Sequence, residues 1–258
     1  MQTSMLEIRE DEKGFTLVEL AVVMIIIGLL IGGILKGQEL ITNARVTSTA
    51  SQMEAIGAAY NGFRDQYNAL PGDMATATGA GGRMANCGAA GIVSCANGDG
   101  NGVLGGVPGA APPAAGAGAG EGTNMFGQLL AGEFITGMDG TNPAARAFGN
   151  QLPTAPIGGG FTAGDVRAGA AAAATGFTVG EMRPAPYLVV TGTVAAVGAN
   201  QGVLTPQQAA NIDRRLDDGV PNAGTIVAQT GNAADCRQAA GIYSGNDNQV
   251  CVIAYRLQ

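Results

Sequence analysis

One carboxylate stands near the start of a long apolar run. Residues 15–35 form a run of 21 residues, and Glu19 is the only charged residue among them. A carboxylate at the centre of a membrane helix costs about 2.5 to 3.5 kcal/mol on insertion scales, so an intramembrane acid marks a function by default. The other interpretation is an acid tolerated at the shallow end of a span, where lipid headgroups and water still reach it.

Four cysteines form the second group of reactive side chains. All of them follow the apolar run, and short separations of eight and fifteen residues favour the pairs Cys87–Cys95 and Cys236–Cys251. In the chain-entropy model, a disulfide that closes a loop of about 15 residues contributes roughly 3 kcal/mol. Buried free thiols and a four-cysteine metal site are the alternatives, although neither pair has the C-x2-C spacing of a zinc ribbon.

Two acidic segments have spacings that oxygen-ligated cations use. Residues 97–103 read NGDGNGV and resemble the start of a calcium loop, but Pro108 stands where such a loop needs a bidentate glutamate, so a polar turn is favoured. Asp213, Asp217 and Asp218 surround a predicted helix end, where pairing with the two neighbouring arginines and solvation are the simpler interpretation. We therefore predict no metal and no cofactor.

The composition excludes several classes of function. The chain of 258 residues has no histidine, which excludes Ser-His-Asp and Cys-His catalysis and histidine-ligated zinc or haem. Its net charge of −7, with only two lysines, makes it a poor candidate for binding nucleic acid. With 43 glycines, 11 prolines, 5% aromatic residues and no tryptophan, the part outside the apolar run must fold around a thin core. No enzymatic activity is predicted.

The apolar run has the length of a membrane span. A helix of 21 residues is about 31 Å long, which matches a hydrocarbon core of about 30 Å. The run is apolar on every side, so lipid or other apolar helices must surround it. A cleaved secretory signal is the rival interpretation, but such signals have a shorter apolar core and a cationic start.

Beyond the span, the helix is predicted to continue. From Val46 to Tyr67, apolar side chains recur every three or four residues, which predicts an amphipathic helix ending by Ala69, before the turn signal at Pro71. Two later segments predict short helices, the second with a capping box at its start, and three predict strands. The helical segments are 123–137 and 205–219, the strands are 186–197, 224–229 and 249–257, and 74–122 and 138–185 are predicted to be loop-rich. The predicted fold class is α+β: a long N-terminal helix whose amphipathic half packs on a small antiparallel sheet, with extended Gly/Ala-rich loops.

The N-terminal residues resemble those of type IV prepilins and type II secretion pseudopilins. A charged leader, Lys13-Gly14, the sequence Phe15-Thr16-Leu17-Val18-Glu19 and an unbroken apolar helix follow one another in the order typical of that family. The resemblance covers residues 1–67, and weaker similarity to larger pilin-like proteins extends beyond them. Many pilins have a proline about twenty residues into the mature helix, where this chain has Lys36.

The resemblance implies a processing step and a set of partners. A prepilin peptidase would cut between Gly14 and Phe15 and methylate the new amine of Phe15. The protein would cross the bacterial inner membrane once, with a cytoplasmic N-terminus and a periplasmic C-terminal domain, contact lipid before assembly, and then enter a periplasmic or cell-surface filament. Its partners would be copies of itself, other pilin subunits, the peptidase and the inner-membrane assembly platform. The amine of Phe15, in the same helix or in a neighbouring subunit, would be the partner of Glu19.

These expectations divide the chain into four segments and favour one function. The segments are the leader (1–14), the transmembrane or filament-core half of the helix (15–35), its amphipathic half (36–69) and an extracytoplasmic globular domain (70–258). The predicted function is that of a structural subunit, pilin or pseudopilin, in a type IV pilus or a type II secretion filament. The competing hypothesis is a signal-anchored extracytoplasmic enzyme or binding domain that does not assemble, which would require no particular residue at positions 14 and 19.

Overall fold

The structure is a computed structural model that describes most of the chain. It covers residues 14–88, 92, 94–113, 116, 118–140, 146–168, 174–198, 201–230, 236–238 and 241–257. The predicted leader, apart from Gly14, lies outside the described residues. The chain divides into two compact units, one up to Asn43 and the other from Ala44 onward.

A single helix, α1, extends over Leu17–Tyr67 and is 51 residues long. This confirms the predicted long helix, which begins at Leu17 rather than at Phe15 and ends before the predicted turn. Asn68 has a φ of 50°, a left-handed conformation that commonly ends a helix, and its N–H donates to the carbonyl oxygen of Arg64 at 2.8 Å. By length and composition, α1 is the one helix in the described part of the chain that could cross a membrane.

The second unit packs its part of α1 into a core, as the apolar spacing predicts. The predicted stripe is buried, and Gly57 brings the helix close to the sheet, because a Cβ there would lie 3.5 Å from the ring of Tyr255. The buried members of the stripe are Val46, Ala50, Met53, Ile56, Tyr60 and Phe63.

The same unit contains two shorter helices and two antiparallel sheets. The helices are α2 (Glu121–Ala131) and α3 (Pro206–Leu216). In chain order the strands are β1 (Gly160–Asp165), β2 (Pro186–Thr191), β3 (Ile226–Ala228), β4 (Arg237–Gln238), β5 (Ile242–Tyr243) and β6 (Ile253–Arg256). The larger sheet has the order β1-β2-β6-β3, and β4 with β5 forms a separate hairpin. The α+β class and the small antiparallel sheet are therefore confirmed.

Both faces of the larger sheet are buried. Leu188 and Val190 of β2 belong to the core that also contains α1 and α2. Tyr187 and Val189, which alternate with them, belong to a second core that includes Phe177 in the segment before β2. An antiparallel sheet commonly has one solvated face, and its strands then alternate apolar and polar residues. Here both faces are buried, which explains why the sequence of β2 is a continuous apolar run.

Several predicted element boundaries were wrong, and one strand lies where a loop was predicted. β2 ends at Thr191 rather than Val197, and α2 ends at Ala131 because Glu133 adopts a φ of 62°. β3 and β6 are shorter than the predicted strands. β1 has the sequence GFTAGD, whose glycines indicate turns, yet Gly160 lies against the ring of Phe148 and Gly164 against the backbone of Val107. Glycine within a strand often marks such a close approach.

Both outer edges of the larger sheet are bonded to other parts of the same chain. On β1, the N–H of Phe161 donates to the carbonyl oxygen of Pro153 (2.9 Å), and the N–H of Asp165 donates to that of Gly106 (2.8 Å). On β3, the N–H of Ala228 donates to the carbonyl oxygen of Pro221 at 2.8 Å. A carboxylate, that of Asp217, accepts from the N–H of Ile226 at 3.2 Å.

Candidate functional site

The first unit presents an apolar helix surface that no described residue covers. Between Phe15 and Leu35, the large apolar side chains are exposed by amounts that range from 45% at Ile27 to 89% at Phe15. Leaving such side chains in water costs roughly 25 cal/mol per Å² of apolar surface. A continuous apolar surface of this kind marks contact with a membrane or another protein. The uninterrupted apolar run ends at Lys36, whose Nζ lies 2.7 Å from an oxygen of Glu39, and Leu40 and Ile41 beyond it are also exposed.

Glu19 belongs to a capping box at the start of α1. Thr16 is the residue before the helix, and its carbonyl oxygen accepts the first helical hydrogen bond, from the N–H of Leu20 at 3.2 Å. The N–H of Thr16 donates to Glu19 Oε2 at 2.9 Å, and the N–H of Glu19 donates to Thr16 Oγ1 at 3.2 Å. The hydroxyl of Thr16 donates to the same carboxylate oxygen at 2.9 Å. This reciprocal pair satisfies two of the free N–H groups at a helix start.

The sequence interpretation missed Thr16, although the signal was present. Thr16-Leu17-Val18-Glu19 has the T-x-x-E spacing of a capping box. In the uncut chain, Phe15 has a peptide nitrogen and no charge, and the carboxylate of Glu19 is bonded to Thr16. Gly14 lies outside α1, and a Cβ placed on it would meet no atom within 4 Å, so the fold itself tolerates a side chain there.

Comparison with known families identifies this segment. Residues 10–35 match the family described as the prokaryotic N-terminal methylation motif, which is the signature of type IV prepilins and pseudopilins. The chain carries the prepilin signature. Comparisons with curated proteins and with solved structures gave no match. The matched range includes Gly14, Phe15 and Glu19.

Beyond the prepilin signature, the four cysteines form two disulfides. Cys87 pairs with Cys95 and Cys236 pairs with Cys251, over sequence separations of 8 and 15 residues. No cysteine is free. The second bond joins the start of the β4–β5 hairpin to the residues just before β6. Disulfides persist in oxidising compartments outside the cytoplasm.

A first group of carboxylates surrounds the segment that resembles a calcium loop. Oxygens of Asp73, Asp99 and Glu121 lie within 4.8 Å of one another, which is the spacing of groups able to hold a metal ion. These carboxylates also hold the loop itself: Asp73 accepts from the N–H of Gly102 (2.9 Å), and Glu121 accepts from that of Gly105 (2.7 Å). Burial raises the pKa of both Asp73 and Glu121, and the hydrogen bond to Asp99 raises the pKa of Asp73 further.

A second group, Asp213, Asp217 and Asp218, lies at the end of α3. Its oxygens are also within 4.8 Å of one another. The predicted pairing with Arg214 and Arg215 was wrong, because no ion pair joins these residues within the described chain. Hydrogen-bond donors take the place of the arginines, since the hydroxyl of Tyr243 and backbone N–H groups donate to the carboxylates.

Proposed function

We propose that the chain is a structural subunit of a type IV pilus or a type II secretion filament and has no enzymatic activity. The observation that carries the proposal is the prepilin signature at 10–35, where the large apolar side chains between Phe15 and Leu35 are exposed. A filament would cover this surface, because apolar helices of neighbouring subunits can pack against one another once they leave the lipid.

The proposed topology is a single membrane crossing with a cytoplasmic N-terminus. The C-terminal domain would be periplasmic before it enters a periplasmic or cell-surface filament. Two disulfides in this domain support the proposal, because the cytoplasm keeps thiols reduced. The inner-membrane assembly platform and other pilin subunits would be its partners, with lipid around α1 before assembly.

Processing is the first proposed step. A prepilin peptidase would cut between Gly14 and Phe15 and methylate the amine of Phe15. Gly14, Phe15 and Thr16 lie outside the helix, and Phe15 is 89% exposed, which makes the bond accessible. The new amine would be the cationic partner of Glu19. In a dry helix bundle, a broken ion pair is unfavourable by about 3 to 5 kcal/mol, so pairing would favour subunits in register.

Mass spectrometry of purified filaments tests the processing step. We expect the mature chain to begin with N-methylated Phe15. The change Gly14→Val should leave the precursor uncut, and because a Cβ at Gly14 would meet no atom of the described residues within 4 Å, this defect would report on the peptidase. A mature N-terminus within residues 30–45 would identify an ordinary cleaved secretory signal and refute the proposal.

Substitution of Glu19 tests assembly and separates charge from helix capping. Glutamine also completes a capping box but carries no charge, so Glu19→Gln keeps the helix start and removes the ion pair. We expect normal cleavage and a loss of filaments of at least tenfold with Glu19→Gln. The matched control is Glu39→Gln, which removes an exposed carboxylate from the same helix and should assemble normally. Wild-type assembly of Glu19→Gln would show that the charge has no role.

A further inference from the structure

A shallow depression at one end of the larger sheet is lined by three arginines. Its volume is about 580 Å³. Arg167, Arg183 and Arg256 line it together with Pro184, Ala185, Pro186 and Leu257, and no acidic residue of the described ranges lines it. This concentration of positive charge is unexpected in a chain whose net charge is −7.

The three arginines differ in how their charges are compensated. Arg167 forms an ion pair with Asp165, with 2.5 Å between Nη2 and Oδ2 and a second bond from Nε at 3.0 Å. The carboxylate of Asp165 is buried, so it neutralises Arg167 from behind. Arg183 and Arg256 have no carboxylate of a described residue within ion-pair distance. Two positive charges at this depression are therefore uncompensated by the described chain.

Hydrogen bonds from backbone N–H groups fix the main chain at Arg183 and Arg256. The N–H of Arg183 donates to the hydroxyl of Tyr187 at 2.9 Å. Arg256 lies directly opposite Tyr187 in the pairing of β2 with β6, and its N–H donates to the carbonyl oxygen of Thr225 at 2.8 Å. Pro184 and Pro186 have fixed φ angles and stiffen the wall between the arginines. Little backbone ordering is left for a ligand to impose.

We propose that Arg183 and Arg256, with Arg167 beside them, bind a phosphate group of a ligand. Guanidinium groups match phosphate oxygens with two parallel hydrogen bonds, and a dianion would balance the two free charges. The apolar wall of Pro184, Pro186 and Leu257 lowers the local dielectric and strengthens that attraction. The phosphate could belong to a soluble phosphate ester or to a lipid headgroup. This inference does not depend on filament assembly.

Calorimetry on the full chain in dodecyl maltoside micelles tests the proposal, with inorganic pyrophosphate as the probe at low salt. We expect saturable binding that weakens at least tenfold in the double variant Arg183→Gln/Arg256→Gln. The matched control is Arg214→Gln/Arg215→Gln, which removes the same charge from exposed positions on α3 and should stay within twofold of the wild type. No saturable binding, or an equal loss in both double variants, would overturn the proposal.

Two further measurements complete the test. Arg183 is exposed, so the variant Arg183→Lys should fold normally. Lysine keeps the positive charge but cannot form bidentate hydrogen bonds to phosphate, so we expect an intermediate loss of affinity. Titration with glycerol 3-phosphate and with dihexanoyl phosphatidic acid distinguishes the two sources of phosphate. Equal affinities indicate a soluble ester, and at least tenfold tighter binding of the lipid, abolished in the Arg183→Gln/Arg256→Gln variant, indicates a headgroup. Full affinity of Arg183→Gln/Arg256→Gln for both would contradict the site.

Discussion

At the scale of single residues, Asp213 is a buried acid that accepts hydrogen bonds but forms no ion pair with a described cation. The hydroxyl of Tyr243 donates to Oδ2 at 2.8 Å and the N–H of Gly219 donates to Oδ1 at 3.3 Å. Burial raises the pKa of Asp213 to about 6, with smaller contributions from the charges of Asp218 and Asp217. The ordinary value is 3.8, so between these values the folded protein binds more protons than the unfolded chain.

This difference predicts a stability that falls as the pH rises. Between about pH 4 and pH 7, wild-type protein should lose about 2 to 3 kcal/mol more of its free energy of unfolding than the variant Asp213→Asn, which cannot ionise. Urea unfolding of both proteins across this range measures the difference. Asp73 and Glu121, whose pKa values are also raised, contribute a slope of the same sign to both proteins. Parallel stability curves would contradict the assignment.

At the scale of elements, α2 organises the loops with hydrogen bonds rather than with apolar contacts alone. Asn124 and Gln128 lie on one side of α2, and both side chains are fully buried. Asn124 donates to the carbonyl oxygen of Gly72 (2.8 Å), and its Oδ1 accepts from the N–H of Ala96 (2.6 Å). Gln128 accepts from the N–H of Gly72 (2.6 Å) and donates to the carbonyl oxygen of Ala96 (2.9 Å). A glycine-rich segment with few apolar side chains is fixed in this way.

Replacing the amide of Gln128 should therefore be costly. The change Gln128→Leu keeps the approximate volume but leaves the N–H of Gly72 and the carbonyl of Ala96 without partners. We expect the free energy of unfolding to fall by about 2 to 4 kcal/mol. Gln66→Leu makes the same chemical change on the exposed face of α1 and should cost less than about 0.5 kcal/mol. Urea unfolding compares them, and similar losses in both would argue against a scaffolding role for α2.

Elements with local signals could be predicted from the sequence. α3 has its capping box, in which the N–H of Gln208 donates to Thr205 Oγ1 at 3.2 Å, and this start was predicted from Thr205, Pro206 and Gln208. The buried stripe of α1 follows from its spacing. β1 could not be predicted, because its glycines are explained only by distant neighbours such as Phe148 and Val107.

Some features of the candidate site could likewise be predicted from the sequence, and others could not. Glu19 was recognised because an acid in an apolar run is conspicuous, whereas its bond to Thr16 required attention to helix starts. In the sequence, Asn124 and Gln128 of α2 look like ordinary surface residues, because their partners Gly72 and Ala96 are distant along the chain. The arginine depression joins residues from three parts of the chain, and only the pairing of β1, β2 and β6 brings them together.

At the scale of the whole molecule, covalent links supplement a thin core. The chain has 5% aromatic residues and no tryptophan, and both disulfides lie in the second unit. Each link closes a short loop, of 8 or 15 residues. In the chain-entropy model, the loops reduce the entropy of the unfolded chain by amounts equivalent to about 2.5 and 3 kcal/mol.

Removing the longer link should cost a large part of the stability. We expect Cys236→Ala/Cys251→Ala to lower the free energy of unfolding by about 3 kcal/mol, and Cys87→Ala/Cys95→Ala by slightly less. Alanine is the suitable replacement because the cysteines are buried and a serine hydroxyl would need a partner. Urea unfolding of oxidised wild type and both variants gives the values. Unchanged stability in the first variant would show that β6 holds its place without the bond.

The hydrogen-bonded outer edges of the larger sheet affect how copies of this chain interact at high concentration. A strand with free N–H and carbonyl groups recruits strands from other molecules and can seed amyloid-like growth. Here the loop at Pro153 and Gly106 and the side chain of Asp217 already use donors on the two edge strands. These donors are therefore not available to a strand of another copy, which opposes edge-to-edge aggregation of this sheet.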